Sequence, residues 1–152
     1  MAADTKISNA AAIAACNAIV DLVDADASAG QMVIYDVGNG IPTECDANVD
    51  GSTALVVFTL DATEAFGNAA DGTPGGVATL DNNPVISATA SASGTAAFFR
   101  ILDGAGDTAT GSQCIIQGTC GTSNADMVLN TTSIISGATI NITSHTVTVS
   151  EG

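Results

Sequence analysis

The sequence predicts a mainly β protein, an antiparallel β-sandwich or jelly roll with one N-terminal α-helix. After Gly30, turn-forming Gly, Pro, Asn and Asp residues divide the chain into short apolar runs of strand length. Only the segment Ser8 to Val23 repeats its apolar residues at helical spacing. With 152 residues, 46% of them hydrophobic, the chain is long enough to bury one core. We therefore expect a single domain over residues 1–152.

The helix is predicted over residues 8–24, after a flexible arm at residues 1–7. Ser8 or Asn9 is suited to the N-cap, because its side-chain oxygen can accept from the free N–H groups of the first turn. Apolar residues then recur every three or four positions, which gives one apolar stripe. Acids at the C-terminal end oppose the helix dipole, so tertiary packing must stabilise this helix.

Strands are expected from residue 30 to residue 150. The candidates are residues 32–37, 55–60, 77–80, 86–93, 96–102, 112–117, 127–134 and 138–149. The strands at 96–102 and 112–117 should form a hairpin with a long tip. In the last candidate, the apolar residues change parity between Ile142 and Val147, which predicts a β-bulge or a sheet-switching bend near Ser144–His145.

The charge balance excludes two classes of partner. The chain has two cationic side chains, Lys6 and Arg100, against 16 acids, for a formal net charge of -14. A nucleic-acid binder needs many cations to displace counterions from phosphates, so no nucleic-acid partner is expected. An anionic membrane would repel the chain, and no apolar run approaches the ~18 residues of a membrane span. No secretory leader is visible either, which predicts use where cytoplasmic synthesis leaves the chain.

The four cysteines, Cys16, Cys45, Cys114 and Cys120, do not form the close pairs of a structural zinc site. We expect free thiols, as in a reducing cytoplasm. The alternative is contact between Cys114 and Cys120 across a bend.

One acidic turn has a partial calcium-site pattern. Asp46, Asn48 and Asp50 place oxygen ligands at alternate positions before Gly51. The closing acid is missing, because Val57 stands at its place. A solvated turn is the favoured interpretation, since Asp and Asn are ordinary turn residues.

No residue pattern predicts catalysis. Ser144 and His145 are neighbours in a predicted strand, so their side chains point to opposite faces and form no dyad. Acid pairs such as Asp61 and Glu64 are expected by chance in so acidic a chain. The prediction is therefore a non-enzyme without catalytic residues or cofactors, in which His145 is structural.

The two cations are the candidate interface residues. Arg100 stands between Phe99 and Ile101 in the most apolar strand. We expect it to form an intramolecular salt bridge on the exposed face of that strand, or an ion pair with an acid of a neighbouring copy. Lys6 precedes the helix and belongs to the predicted arm.

Four segments together resemble small virion proteins of tailed bacteriophages. They are residues 6–24 (KISNAAAIAACNAIVDLVD), 93–103 (SGTAAFFRILD), 117–126 (QGTCGTSNAD) and 136–144 (SGATINITS). The resemblance spans nearly the whole chain, whereas residues 38–50 are more individual. It carries no catalytic motif, so no site residues follow from it.

The resemblance implies a head decoration (cement) protein that binds the outer surface of the major capsid protein lattice and stabilises the capsid. It would be assembled in the host cytoplasm, lie on the capsid exterior of the virion, and self-associate as a homo-oligomer. Two alternatives stay open: a tail, neck or fibre component, and a receptor- or carbohydrate-binding β-sandwich module.

Overall fold

The computed structural model describes residues 5–25, 28–72 and 75–152. Within them the chain is mainly β, with one helix near the N-terminus and mostly antiparallel strand pairs, which confirms the predicted fold class. Its elements in chain order are α1 (Asn9–Val20), β1 (Gln31–Tyr35), β2 (Ala54–Thr59), β3 (Ala70–Asp71), β4 (Gly75–Thr79), β5 (Ser87–Thr89), β6 (Gly94–Thr95), β7 (Phe98–Leu102), β8 (Cys114–Gly121), β9 (Met127–Val128), β10 (Ser133–Ile134), β11 (Thr139–Asn141) and β12 (Thr146–Ser150).

Helix α1 begins as predicted and ends earlier than predicted. The Ser8 hydroxyl accepts from the Ala11 N–H at 3.2 Å, which satisfies one free donor of the first turn. After Val20 the N–H groups of Leu22 and Val23 bond to carbonyls three residues back, so the last turn tightens and the helix stops. Residues 1–4 of the predicted arm lie outside the described residues. Ile7 is anchored, because its N–H donates to the Glu151 carbonyl at 2.9 Å.

The largest sheet has five strands in the order β2-β1-β7-β8-β9, and we call it the main sheet. Strands β7 and β8 form the predicted hairpin, although β8 begins two residues later and runs four residues further than the 112–117 candidate. The short strand β9 pairs with β8 in parallel.

Three smaller sheets have the strand orders β12-β4-β3, β11-β5 and β10-β6. The predicted strand at 127–134 is in fact two strands, β9 and β10, in different sheets. The predicted strand at 138–149 divides into β11, which pairs with β5, and β12, which pairs with β4. The predicted sheet-switching bend before Thr146 is therefore confirmed.

The main core lies on one face of the main sheet, which we call the inner face. Met32 and Ile34 of β1 and Phe99 and Ile101 of β7 belong to it. Buried residues of α1, β4 and the segments beside the small sheets complete the cluster. The helix and small sheets thus form the second layer of the sandwich.

The opposite, outer face is also buried. Val33, Tyr35, Phe98 and Leu102 form a second cluster there together with Val49, which comes from the long β1–β2 connection. Two irregular connections, residues 36–53 and 103–113, contribute the contacts described below. We call these two segments the loop layer. No helix of the described ranges is both long and apolar enough to cross a membrane.

Candidate functional site

The loop layer is the candidate functional site because it combines length, order and charge. Its first segment is longer than most connections, and ordered loops of that length usually serve a function. Its 29 residues carry six of the 16 acids and no Lys, Arg or His, and these acids are Asp36, Glu44, Asp46, Asp50, Asp103 and Asp107. Two apolar side chains of the same layer are exposed, Val37 to 53% and Ile41 to 40%.

Arg100 lies beneath this layer and is 0% exposed. Its Nη1 donates to the Gly111 carbonyl at 2.8 Å and its Nη2 to the Glu44 carbonyl at 3.1 Å, so one guanidinium contacts both loop segments. Its Nε donates to Oε1 of Gln117, the residue paired with it on β8, at 2.8 Å. The planar fork of an arginine suits this arrangement, because several fixed donors leave the same group.

Two further hydrogen bonds hold the loop layer on the sheet, and a third joins its two segments. Gln117 Nε2 donates to the Pro42 carbonyl at 2.6 Å. The Tyr35 hydroxyl, stacked through its ring on Phe98, donates to the Thr108 carbonyl at 2.8 Å. The Val49 N–H donates to the Thr110 carbonyl at 3.1 Å and so joins the two loop segments directly.

Gly111 fits closely around the guanidinium. Its φ of +66° lies in the left-handed region that favours glycine, and an added Cβ would come within 2.7 Å of Arg100 Nη1. A larger residue at this position would displace the carbonyl that the arginine binds.

A disulfide between Cys45 and Cys114 joins the first loop segment to the start of β8, with 5.5 Å between the Cα atoms. The expectation of four free thiols is therefore wrong. So is contact between Cys114 and Cys120, which lie on opposite faces of the main sheet. An irregularity between Ile101 and Leu102 in the β7–β8 register separates the two, because it shifts the alternation of β8 by one residue.

Cys16 and Cys120 are the free cysteines of the described residues. Both pack in or against the core cluster of the inner face. Burial, and secondarily the Asp126 carboxylate, raises the pKa of the Cys120 thiol to about 12, so it is a poor nucleophile at neutral pH.

The electrostatics of the site follow from burial. Desolvation lowers the pKa of Arg100, while the charges of Tyr35 and Asp46 act in the opposite direction. Desolvation raises the pKa of Tyr35 to about 12, with Arg100 opposing and Asp107 adding to the shift. Tyr35 therefore keeps its proton at neutral pH, and a guanidinium is not deprotonated in proteins, so each group serves there as a hydrogen-bond donor.

The expected exposed salt bridge of Arg100 is wrong. The side chain is buried, and its three hydrogen bonds go to uncharged oxygens. A fully buried guanidinium also offers no surface to another copy, so Arg100 supports the loop layer from within instead of lying at an interface. Lys6 is exposed, and it interacts with another group of the same chain.

The partial calcium pattern lies in the loop layer as two consecutive turns. The Ala47 N–H bonds to the Glu44 carbonyl at 3.1 Å, and the Ser52 N–H bonds to the Val49 carbonyl at 2.9 Å. Asp46, Asn48 and Asp50 are exposed, whereas Val49 points into the outer cluster. In the described ranges, no group of three or more His, Cys, Asp or Glu side chains is placed to hold a metal ion.

His145 packs edge-on against two aromatic rings. Its centroid lies 5.3 Å from that of Phe99 and 6.2 Å from that of Phe66. Burial lowers its pKa, and its backbone carbonyl accepts from the Leu80 N–H at 2.9 Å. These contacts agree with a structural role at the bend.

Comparisons of the chain with protein-family models, curated proteins and solved structures give no match. Its function is therefore inferred from its own geometry and charge.

Proposed function

We propose that the chain is a head decoration (cement) protein of a tailed bacteriophage, which binds the outer surface of the major capsid protein lattice and stabilises the capsid without catalysing a reaction. The observation that carries the proposal is the distribution of charge. With Arg100 buried, Lys6 is the single Lys or Arg side chain left for a surface that the acids dominate.

This charge suits the outside of a DNA-filled shell. Packaged DNA repels an acidic protein, whereas Lys and Arg residues on the outer surface of a lattice would attract it. Contacts repeated over many identical lattice sites give high avidity from a modest interface, and association between copies would add to it. The proposed location is therefore the capsid exterior.

The loop layer is the proposed contact surface on the decoration protein. It is denser in acids than the rest of the chain, exposes Val37 and Ile41, and is fixed in shape by Arg100 and the disulfide. A surface that is already ordered loses little entropy on binding. In the reducing cytoplasm, where assembly would take place, the hydrogen bonds of Arg100 would hold this surface in shape, and the disulfide would form and persist once the virion is outside the cell.

Copy number in purified virions tests the proposal. Quantitative mass spectrometry should find this chain at hundreds of copies per particle, in near-constant ratio to the major capsid protein. A few copies per particle would contradict decoration and indicate a tail, neck or fibre component. Absence from virions would reject both.

Binding to DNA-free shells of the major capsid protein tests the contact surface. We expect affinity to fall as salt rises, because screening weakens attraction between opposite charges. The double variant Glu44→Gln, Asp46→Asn should bind less tightly than wild type. The double variant Glu64→Gln, Asp71→Asn, which also removes two exposed acids but lies outside the loop layer, is the matched control and should bind nearly as wild type does. Equal weakening by both changes would show general charge attraction without a specific face.

A further inference from the structure

We propose that the loop layer is locked by oxidation after folding: the reduced chain folds with Cys45 and Cys114 already adjacent, Arg100 positions them, and an external oxidant then joins them. This inference concerns the fold alone and does not depend on the proposed function.

The hydrogen bonds around Arg100 fix the chain close to both cysteines. Arg100 binds the carbonyl of Glu44, the residue before Cys45, and the carbonyl of Gly111, three residues before Cys114. Gln117, three residues after Cys114, binds the carbonyl of Pro42, three residues before Cys45. None of these bonds needs the disulfide, so they are able to form in the reduced chain.

The main sheet selects the correct pair. The two bonded cysteines are 69 residues apart in sequence, so in an unfolded chain they meet no more readily than several wrong pairs. In the fold, Cys114 joins the outer cluster, whereas Cys16 and Cys120 lie with the inner core. A five-stranded sheet then separates the pair from the two remaining thiols.

A small oxidant has access to the pair. Cys45 and Cys114 line an open cleft of about 370 Å³, together with Leu22, Asp46 and Asp103. With oxidised glutathione as the oxidant, the thiolate of one cysteine attacks the disulfide of glutathione. This step forms a mixed disulfide between the protein and glutathione and releases one glutathione thiolate. The second cysteine thiolate attacks the mixed disulfide, forms the Cys45–Cys114 bond and releases the second glutathione. Two protein thiols are oxidised and one oxidised glutathione is reduced to two glutathione thiols, which take up the two protons that the cysteines lose.

The test follows bond formation in the reduced full-length chain after addition of oxidised glutathione, with each pairing mapped by mass spectrometry. In native buffer Cys45–Cys114 should form first and dominate. Arg100→Met should slow its formation by about tenfold or more, because a lost hydrogen bond to a charged group costs ~1.5–3 kcal/mol and each 1.4 kcal/mol is a factor of ten. Lys6→Met, which removes the surface cation, is the matched control and should leave the rate unchanged.

The variant Arg100→Lys tests whether the two cysteines are positioned by the shape of the guanidinium or only by its positive charge. It keeps a positive charge and loses the fork that reaches both loops, so we expect slow pairing. A wild-type rate in Arg100→Lys or Arg100→Met would overturn the positioning role.

A second measurement uses wild type alone, in case the Arg100 variants do not fold. Under denaturant the preference for Cys45–Cys114 should disappear. If native and denatured chains pair their cysteines at the same rate and with the same selectivity, the reduced fold does not bring the two together and the inference is wrong.

Discussion

The two faces of the main sheet are both buried, but they are stabilised in different ways. The inner face contacts a helix and small sheets through apolar side chains, so its stability is spread over many residues. The outer face has a smaller apolar cluster and is covered by irregular chain, which one arginine, one glutamine, one tyrosine hydroxyl and one disulfide hold in place. A single substitution on the inner face should therefore lower the stability of the whole fold in a graded way. A single substitution on the outer face should instead detach the loop layer from the sheet and leave the rest of the fold in place.

The largest expected loss comes from the inner face. Phe58→Ala should lower the free energy of unfolding by ~3–5 kcal/mol, because it removes buried apolar surface and leaves a cavity. Phe58 is 1% exposed, while Val128, on the short strand β9, is 65% exposed. Val128→Ala should change stability by no more than ~0.5 kcal/mol. Urea denaturation measures both, and similar small losses would show that the inner face is not the main core.

Removing the disulfide should cost less and act on the outer face. The double variant Cys45→Ala, Cys114→Ala should lose about 2–4 kcal/mol, because the bond restricts a long loop of the unfolded chain. Cys120→Ala is the control for removal of a partly buried thiol. Urea denaturation in the absence of reductant gives the difference. A double variant as stable as the control would mean that the disulfide does not stabilise the fold.

Alkaline titration examines the outer face through Tyr35, the single tyrosine of a chain without tryptophan. Its folded pKa is about 12 against the ordinary 10.0, so the folded state holds the proton more tightly than the unfolded state. This contribution to stability is present below pH 10.0 and is lost as pH rises toward about 12. Tyrosinate absorbance should show the raised pKa, and an ordinary pKa would contradict burial of the hydroxyl.

Tyr35→Phe is the matching variant. It should remove this alkaline loss of stability and cost ~0.5–1.5 kcal/mol at neutral pH, because the hydrogen bond to the Thr108 carbonyl is lost. An unchanged alkaline profile would assign the effect to another group.

The smallest expected effect on stability comes from protonation of His145, which lies on the inner face. Burial lowers its folded pKa below the ordinary 6.5, so its contribution to stability is present above that pH and is lost as pH falls through the folded pKa. Because it is the only histidine, its ring signals in a proton NMR titration are unambiguous. A pKa at or above 6.5 would contradict its packing between Phe66 and Phe99.

The sequence predicted the inner face better than the outer one. Periodicity located α1 and the central strands, and the parity change after Ile142 located the sheet-switching bend. The strand predicted at 127–134 was wrong as a single strand. Its side chains that pack in or against the core change parity between Met127 and Ile134, but the neighbouring Val128 and Ile135 are apolar and exposed, so the change cannot be recognised from the sequence.

The burial of Arg100 could have been predicted from the residues around it in the sequence. Phe98 and Leu102 share its face while Phe99 and Ile101 occupy the other, which indicates a strand buried on both faces. The disulfide left no such signal. Its cysteines lie far apart in sequence, and a local bulge decides which face of β8 carries Cys114. Only the folded chain brings them together.

Hydrogen exchange at the Val49 amide tests most directly whether Arg100 holds the loop layer on the outer face, because this amide joins the two loop segments. In oxidised Arg100→Met, Val49 should lose protection, while the amides that pair β1 with β2 should keep theirs, since inner packing is untouched. If Val49 stays as protected as in wild type, or if all these amides lose protection together, then Arg100 does not stabilise the loop layer locally.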